Sequence, residues 1–316
     1  MICDEVFISC FDISFVPLRD IVMPRFTGVI SLSSLLALFS RVDWSLAKVL
    51  HESKVIKPYS CTPIYPEGGS PSLSSRGSIT HLKRGYRYHI RFTLITNNVA
   101  KMFLRAITKV SESSNGSWDL SFMDVRCPIM EISVQVLTYK DITPSVEDEY
   151  VKVRFLTPTR FSVRSTVRRP KPKFRLFPVP ENLFHSLVHH WNTFAPDNCK
   201  INEEVLYEYV LNYVTEVDYR IARESVEIGK GRKAIGFTGY CAYHFQLCDD
   251  PMFKACMKLL SYGELVNVGN AKSMGLGVIK VEPFVRKGSG FEKHENSTVQ
   301  WTYKMVIWKS WRKLKI

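Results

Sequence analysis

A glycine-rich stretch between residues 265 and 279 has the most distinctive spacing in this chain. Its glycines Gly269, Gly275 and Gly277 surround one basic residue, Lys272. Glycine tolerates positive φ and has no Cβ, so several main-chain N–H groups can converge on one anion. The spacing therefore predicts a loop that holds a phosphate or a similar anion, with the lysine adding positive charge. The alternative is a plain turn with a lysine at its tip.

The elements on either side of this loop indicate which anion it could hold. Asp250 and Pro251 can cap and start a helix before the loop, and residues 277–281 are predicted to form a strand after it. Nucleotide-binding glycine loops run in the opposite order, from strand to loop to helix. A nucleic-acid backbone is therefore the expected ligand.

The charge of the chain favours the same class of partner. The 316 residues include 43 Lys and Arg against 30 Asp and Glu, which gives a formal net charge of +13. Such an excess favours a polyanion over a small neutral substrate. Beyond the loop, we expect contacts to nucleic acid from Arg168 and Arg169, and from Lys230, Arg232 and Lys233 at a predicted hairpin tip.

Composition argues against several other classes of protein. The eight cysteines form no C-x-x-C pair, which argues against a zinc ribbon and a disulfide framework. No apolar run is long enough to cross a bilayer, and we recognise no secretion signal. We therefore expect a cytoplasmic protein without a membrane partner.

The pattern of apolar residues predicts the elements that position these groups. The first half is predicted to contain a strand over 5–15, helices from about 31 to 53, a proline-interrupted strand over 57–65, a strand over 86–95, a helix after Asn98 and a strand over 129–137. The order β-α-β-β-α-β is typical of the ferredoxin-like fold, which RNA-recognition motifs share.

The second half repeats this order. Its predicted elements are a strand over 150–156, helices over 182–194 and 203–211, strands over 213–227 and 234–246, a helix from Pro251 and the strand after the glycine loop. We therefore expect an α+β fold of two tandem ferredoxin-like (RRM-like) domains, residues 1–145 and 146–283. Residues 284–316 form a basic, aromatic tail that is expected to pack on the second domain, or to clamp RNA or a membrane surface.

Two segments resemble one known family. Leu50-His51-Glu52 followed by Lys57-Pro58-Tyr59-Ser60, and the loop from Val268 to Gly277, resemble the CRISPR-associated endoribonucleases that cut precursor CRISPR RNA within its repeats. With the tandem order of elements, the resemblance covers roughly residues 1–283. It implies binding of CRISPR repeat RNA and metal-independent cleavage by a ribose 2′-hydroxyl, which leaves 2′,3′-cyclic phosphate and 5′-hydroxyl ends.

The resemblance also implies the catalytic residues. His51 matches the family's histidine and Lys57 its lysine, and a tyrosine often accompanies them. Histidine is suited to proton transfer near neutral pH, and lysine to fixed positive charge beside a phosphorane-like transition state. The helix that should carry the tyrosine has the sequence Ser31-Leu-Ser-Ser-Leu-Leu36. It has only serine hydroxyls there, so no residue is assigned to the catalytic role of the tyrosine. The alternative for His51, predicted on the Trp44 side of its helix, is a solvent-facing residue without function.

No metal site and no cofactor are predicted. His185 and His189 are four residues apart and would share one side of a helix, as metal-binding histidines do, with His190 beside them. No acidic residue or cysteine lies at a spacing from these histidines that is typical of a metal site. The sequence also has no convincing cluster of carboxylates that could bind Mg²⁺ or a similar cation.

Three functions are consistent with these patterns. The first is a metal-independent endoribonuclease that acts on CRISPR repeats, and the second is a non-catalytic RNA-binding subunit of a CRISPR ribonucleoprotein. His51 is the feature that separates them. A generic ferredoxin-like RNA-binding protein is third, because neither half has the aromatic-rich strand consensus of RNA-recognition motifs. Other subunits of a CRISPR complex and a second copy of the chain are further candidate partners.

Overall fold

A computed structural model of the chain describes residues 6–52, 56–73, 79–113, 119–163, 173–229, 231–287 and 290–291. The first half contains β1 (Phe7–Phe15), β2 (Ile21–Pro24), α1 (Gly28–Ser40), α2 (Trp44–Glu52), β3 (Tyr59–Cys61), β4 (Tyr65–Pro66), β5 (Ile79–Leu82), β6 (Tyr88–Leu94), α3 (Asn97–Ser113), β7 (Asp119–Phe122) and β8 (Val125–Thr138). Its main sheet is antiparallel in the order β3-β6-β1-β8-β7, with β4 also paired to β6. The strands β2 and β5 form a separate pair.

The second half has a similar set of elements. It contains β9 (Tyr150–Thr159), β10 (Phe161–Ser162), β11 (Phe174–Arg175), α4 (Pro180–Phe194), α5 (Glu203–Tyr213), β12 (Val214–Glu227), β13 (Lys233–Phe245), α6 (Pro251–Val266), β14 (Ile279–Pro283), β15 (Arg286–Lys287) and β16 (Gly290–Phe291). Its antiparallel sheet has the order β12-β13-β9-β14. Single turns of 3-10 helix occur at Asp197–Cys199 and Lys272–Met274.

The two sheets have the same topology. In each half the first of the four principal strands lies between the third and the fourth, and the second strand lies outside the third. Helices follow the first and the third of these strands. This is the ferredoxin-like arrangement, so the expected α+β fold with two tandem units is confirmed. The β2–β5 pair and β7 were not predicted.

The first strand, β1, is buried on both faces and joins the two halves. Side chains alternate across a strand. On one face Phe11 and Ile13 pack into the core of the first half, and on the other Ile8 and Cys10 pack into the core of the second half. The boundary that we propose between residues 145 and 146 follows a connection in which Tyr139 also contributes to the second core.

The helix before the glycine loop forms as its sequence predicts. The Asp250 carboxylate accepts a hydrogen bond of 2.7 Å from the Met252 amide, and Pro251 occupies the first turn, where no helical N–H partner is required. Phe253 and Met257 are buried on one face of α6. The helix ends at Val266 and delivers the chain directly into the loop.

The described helices include none with the length and apolar character needed to cross a membrane. Beyond Pro283 the structure describes the small β15–β16 pair, and most of the basic, aromatic tail lies outside the described residues.

Candidate active site

Lys57 reaches back to the C-terminal end of α2. Its Nζ donates a hydrogen bond to the main-chain carbonyl of Leu50, which belongs to the peptide that joins Leu50 to His51. The hydroxyl of Tyr59 donates to the same oxygen over 3.1 Å. Carbonyls in the last turn of a helix have no partner within the helix, so these two side chains satisfy one of them. The lysine of the expected pair therefore lies at the turn of α2 that carries the histidine.

The backbone of His51 lies in this last turn of α2, and its side chain lies outside the described part of the structure. Two residues on its side of the helix are exposed: Trp44 exposes 65% of its surface and Lys48 lies beside it. Ala47, which precedes His51 by one turn and is its neighbour on the helix, is buried. The His51 position therefore lies between the exposed side of α2 and the side that faces the core.

The half-buried position of Lys57 changes its acidity. Burial lowers the pKa of the Lys57 ammonium, because removing water disfavours the charged form. A lysine with a lowered pKa releases its proton more readily than a solvated one. The side chain can therefore supply both positive charge and a proton.

The Ser31 and Ser33 hydroxyls of α1 are used in hydrogen bonds within the helix. They donate to carbonyls one turn earlier, those of Thr27 and Val29. Tyr59 is buried, and burial raises its pKa to about 12. We did not predict Tyr59 as a site residue, although its position two residues after Lys57 in an extended segment was a signal for it.

The glycine loop packs against the protein itself. Gly275 and Gly277 both have φ of +75°, and a Cβ added at Gly277 would overlap the carbonyl oxygen of Val268. A Cβ at Gly275 would lie 3.1 Å from the Cα of Gly28 in α1. We expected these glycines to open a path for a phosphate, but the space beside them is filled by the protein's own main chain. Gly269 likewise packs against the carbonyl of Arg160.

Lys272 also differs from its expected position. Its Nζ is buried and has no hydrogen-bond partner among the described residues. Burial lowers the pKa of this ammonium to about 7. The sequence predicts a direct contact between Lys272 and a phosphate. In this conformation the buried ammonium is not accessible to a phosphate at the surface.

The loop is instead attached to β3. The Sγ of Cys61 donates to the carbonyl of Ser273 over 3.1 Å. The Nδ2 of Asn267 donates to the carbonyls of Cys61 and Lys272, over 2.9 and 3.2 Å. Since β3 begins two residues after Lys57, the loop holds the strand that follows the candidate catalytic lysine.

The basic hairpin tip lies between β12 and β13. Arg232 and Lys233 are exposed there, as expected. Val226 and Ala234, which pair next to the hairpin tip, pack with Leu276 of the glycine loop, so the two elements are neighbours. The other three basic residues of the prediction, Lys230, Arg168 and Arg169, lie outside the described residues.

The three histidines of α4 lie in two different environments. The rings of His185 and His189 stack with centroids 5.8 Å apart, and His189 lies 3.9 Å from Glu203. No group of three or more metal-binding side chains occurs in the described ranges. His190 is buried, and its Nδ1 lies 2.8 Å from the hydroxyl of Tyr262.

Comparison with known proteins identifies relatives of both halves. Residues 10–127 match the family model described as Cas6 N-terminal domain, and residues 153–279 match the model described as CRISPR-associated endoribonuclease Cas6. The CRISPR-associated endoribonuclease Cas6 of Streptococcus thermophilus is 27% identical over 134 residues, which is 42% of this chain. The matched stretch spans about half, 51%, of the length of that curated relative.

Solved structures share the fold over most of the chain. Cas6 of Thermus thermophilus is similar with a TM-score of 0.61 and 19% identity, over 88% of this chain and 99% of that one. The same protein in a product complex gives a TM-score of 0.65, with the same identity and coverage. The fold is shared along both halves, and the two Cas6 models match consecutive parts of the sequence. This chain therefore belongs to the family of CRISPR-associated endoribonucleases known as Cas6.

Proposed function

We propose that this protein cuts precursor CRISPR RNA within its repeats, without a metal ion, by attack of a ribose 2′-hydroxyl on the adjacent phosphate. Membership of the Cas6 family supports an RNA endonuclease. The observation that carries the finer proposal is the hydrogen bond from Lys57 to the Leu50 carbonyl, because it brings an ammonium group to the turn of α2 that contains His51.

In this mechanism His51 accepts the proton of the 2′-hydroxyl while the 2′-oxygen forms a bond to phosphorus. The bond between phosphorus and the 5′-oxygen breaks, which leaves a 2′,3′-cyclic phosphate and a 5′-hydroxyl. Lys57 stabilises the negative charge of the phosphorane-like transition state. Because burial lowers its pKa, Lys57 can also donate the proton that the departing 5′-oxygen needs.

Binding of repeat RNA is assigned to basic residues around the hairpin. Exposed Arg232 and Lys233 support contacts to phosphates, and the proposal extends to Lys230, Arg168 and Arg169 outside the described residues. The glycine loop contributes indirectly, by holding β3. In this proposal the protein acts in the cytoplasm on new transcripts, alone, with other subunits of a CRISPR complex or with a second copy of itself.

The experiment that tests this function incubates the purified protein with a labelled repeat RNA in EDTA. We expect one cut per repeat and a 2′,3′-cyclic phosphate on the upstream product. The matched control is the same RNA with a single 2′-deoxyribose at the scissile nucleotide, which removes the nucleophile and should stay intact. Loss of cleavage in EDTA, with recovery on adding a divalent cation, would contradict the metal-independent route.

A non-catalytic RNA-binding subunit is the second candidate. The observation that favours it is the absence of a tyrosine from α1, where the hydroxyls of Ser31 and Ser33 bond within the helix. Tight binding of the repeat RNA with no cut at any salt or pH would support this second function.

A further inference from the structure

The two faces of the second sheet differ in character. One face packs against α4 and α6, and Val151 and Val153 of β9 point into that core. Side chains alternate across a strand, so the residues between and beside these two valines point to the opposite face. They are Tyr150, Lys152 and Arg154, which are exposed or half-buried. The face away from the helices therefore carries polar and aromatic side chains.

One row of residues crosses all four strands on this face. Arg220 of β12 pairs with Tyr240 of β13. Tyr240 in turn pairs with Arg154 of β9, and Arg154 pairs with Lys280 of β14. Side chains of directly opposite residues in an antiparallel sheet lie on the same face. Since neighbouring strands are about 4.8 Å apart, this cross-sheet row is about 14 Å long and holds three cations and one aromatic ring.

The cations on this face outnumber the nearby carboxylates. Glu282 lies next to the cross-sheet row, within 4.0 Å of three positively charged groups, those of Lys152, Arg154 and Lys280. One carboxylate is thus shared by three cations. The side chains of Arg154 and Lys280 are 52% and 62% exposed, and exposed ion pairs contribute little stability. Both cations can therefore turn to an external anion at little cost.

Aromatic rings accompany these cations on the two central strands. The ring of Tyr150 in β9 stacks on that of His244 in β13, with centroids 4.4 Å apart. Tyr240 is half-buried, and its hydroxyl donates to the carboxylate of Asp218 over 2.9 Å. The Nζ of Lys152 lies 5.8 Å from the centroid of the Tyr240 ring. The Tyr240 ring is thereby held in place, so it loses little freedom when a flat ligand stacks on it.

We propose that this face of the second sheet binds single-stranded RNA, at a site separate from the residues of the cleavage step. Arg154, Lys280 and Arg220 bind phosphates, and a base stacks on Tyr240. RNA-recognition motifs, which share the ferredoxin-like fold, also stack bases on aromatic residues of a four-stranded sheet. The sequence lacks their consensus, and only the pairing of the four strands brings these residues together. The inference rests on the proposed function for the natural ligand, a precursor RNA that extends beyond the cut repeat.

The chemistry of this face favours RNA over other occupants. The chain continues from β14 into the tail, residues 284–316, which is itself basic and would add to the excess of positive charge. An acidic protein segment would neutralise the cations but would leave the aromatic ring without a partner. Each nucleotide of a single strand supplies both a phosphate and a flat base. The combination in the cross-sheet row matches that repeating unit.

The first test measures binding of a labelled RNA of about ten uridines, which has phosphates and unpaired bases but no repeat sequence. Joint replacement of Arg154 and Lys280 by alanine should weaken binding and lower the slope of log affinity against log salt by about 1.4, or about 0.7 for each contact to a single strand. The matched control replaces Lys101 and Arg105, an exposed pair on α3, by alanine and should bind as the wild type does.

Two outcomes of this measurement would overturn the inference. One is a wild type that does not bind the uridine RNA, or an unchanged slope in the variant of Arg154 and Lys280. The other is an equal loss in the variant of Lys101 and Arg105, because binding would then follow the net charge of the protein and not this face.

Tyr240 provides a test of stacking. Tyr240→Leu and Tyr240→Phe both remove the hydrogen bond to Asp218, but only phenylalanine keeps the ring. We expect Tyr240→Leu to bind the uridine RNA about fivefold to hundredfold more weakly, the range for one stacked base, and Tyr240→Phe to retain most of the affinity. Equal affinities in the two variants would contradict stacking on this ring.

Photo-crosslinking gives a readout in the wild type, which holds even if Tyr240→Leu does not fold. A uridine RNA with 4-thiouridine is irradiated with the full chain, and mass spectrometry locates the linked peptides. We expect a crosslink within β13 at or beside Tyr240. Crosslinks confined to the hairpin tip at Arg232 and Lys233 would overturn the inference.

These measurements do not depend on cleavage. A wild type that leaves repeat RNA intact, but whose uridine binding requires Arg154, Lys280 and the Tyr240 ring, would contradict the proposed function and support this inference. A wild type that cuts repeat RNA, and whose uridine binding is the same in every variant, would support the proposed function and overturn this inference.

Discussion

The ammonium nitrogen of Lys57 donates a hydrogen bond to the main-chain carbonyl of Leu50. This bond joins the segment before β3 to the last turn of α2. The hydroxyl of Tyr59, in β3, donates to the same carbonyl oxygen. A charged group is thereby held at the end of a helix whose last turn carries His51. The proposed reaction depends on this arrangement, which needs only local contacts in the chain.

Replacing Lys57 should affect the chemical step more than binding. Lys57→Ala removes the charge beside the developing phosphorane, so we expect single-turnover cleavage to slow by about a hundredfold to a thousandfold. Affinity for the repeat RNA should change by less than about threefold, because one phosphate contact contributes little to the total. Lys48→Ala, an exposed lysine of the same helix, is the matched control and should cut at the wild-type rate.

Gly277 should be required for stability. A Cβ there overlaps the Val268 carbonyl oxygen at a φ of +75°, so Gly277→Ala should lower the free energy of unfolding by more than about 2 kcal/mol in urea titrations. The control is Gly231→Ala in the hairpin tip, which has φ of +68° and no atom within 4 Å of the new Cβ. It should cost about 1 kcal/mol, the effect of the backbone conformation alone. Equal losses at the two sites would contradict the packing of the loop.

Lys272 should make stability depend on pH. Its folded pKa of about 7 lies below the ordinary 10.5, so between these values the unfolded chain binds more protons than the folded one. Stability should therefore rise as pH increases from 7 to 10.5, by at most about 1.4 kcal/mol per unit. Lys272→Met should remove this rise, measured as the difference between the two proteins in urea titrations across that range.

The salt dependence of RNA binding should distinguish the exposed basic residues of the hairpin tip from Lys272, whose ammonium is buried. Each phosphate contact contributes about one unit to the slope of log affinity against log salt. Joint replacement of Arg232 and Lys233 by alanine should therefore lower the slope by about two, while Lys272→Met should leave it unchanged. A loss of about one unit in Lys272→Met would mean that this ammonium reaches RNA after all.

Local patterns in the sequence were sufficient to predict the order of elements. The Asp250–Pro251 start of α6 and the apolar face with Phe253 and Met257 follow from contacts within one helix. The β2–β5 pair was missed because Ile21–Pro24 and Ile79–Leu82 are short strands that pair across more than fifty residues.

Part of the candidate site was predictable as well, because one of its contacts joins residues that are close in the sequence. Lys57 lies close to α2 through a contact seven residues apart. The sequence of the glycine loop predicts an open anion site, because nothing in it indicates that Gly28 and Cys61 approach the loop from the other half.

The most direct test of the central claim compares the wild type with His51→Ala in single-turnover cleavage of a labelled repeat RNA in EDTA. The claim is that His51 transfers a proton in the cleavage step. We predict that the variant binds the RNA as tightly as the wild type and cuts it about a hundredfold to ten-thousandfold more slowly. A wild type that cuts the RNA and a His51→Ala variant that cuts it equally fast would contradict the assignment of the active site.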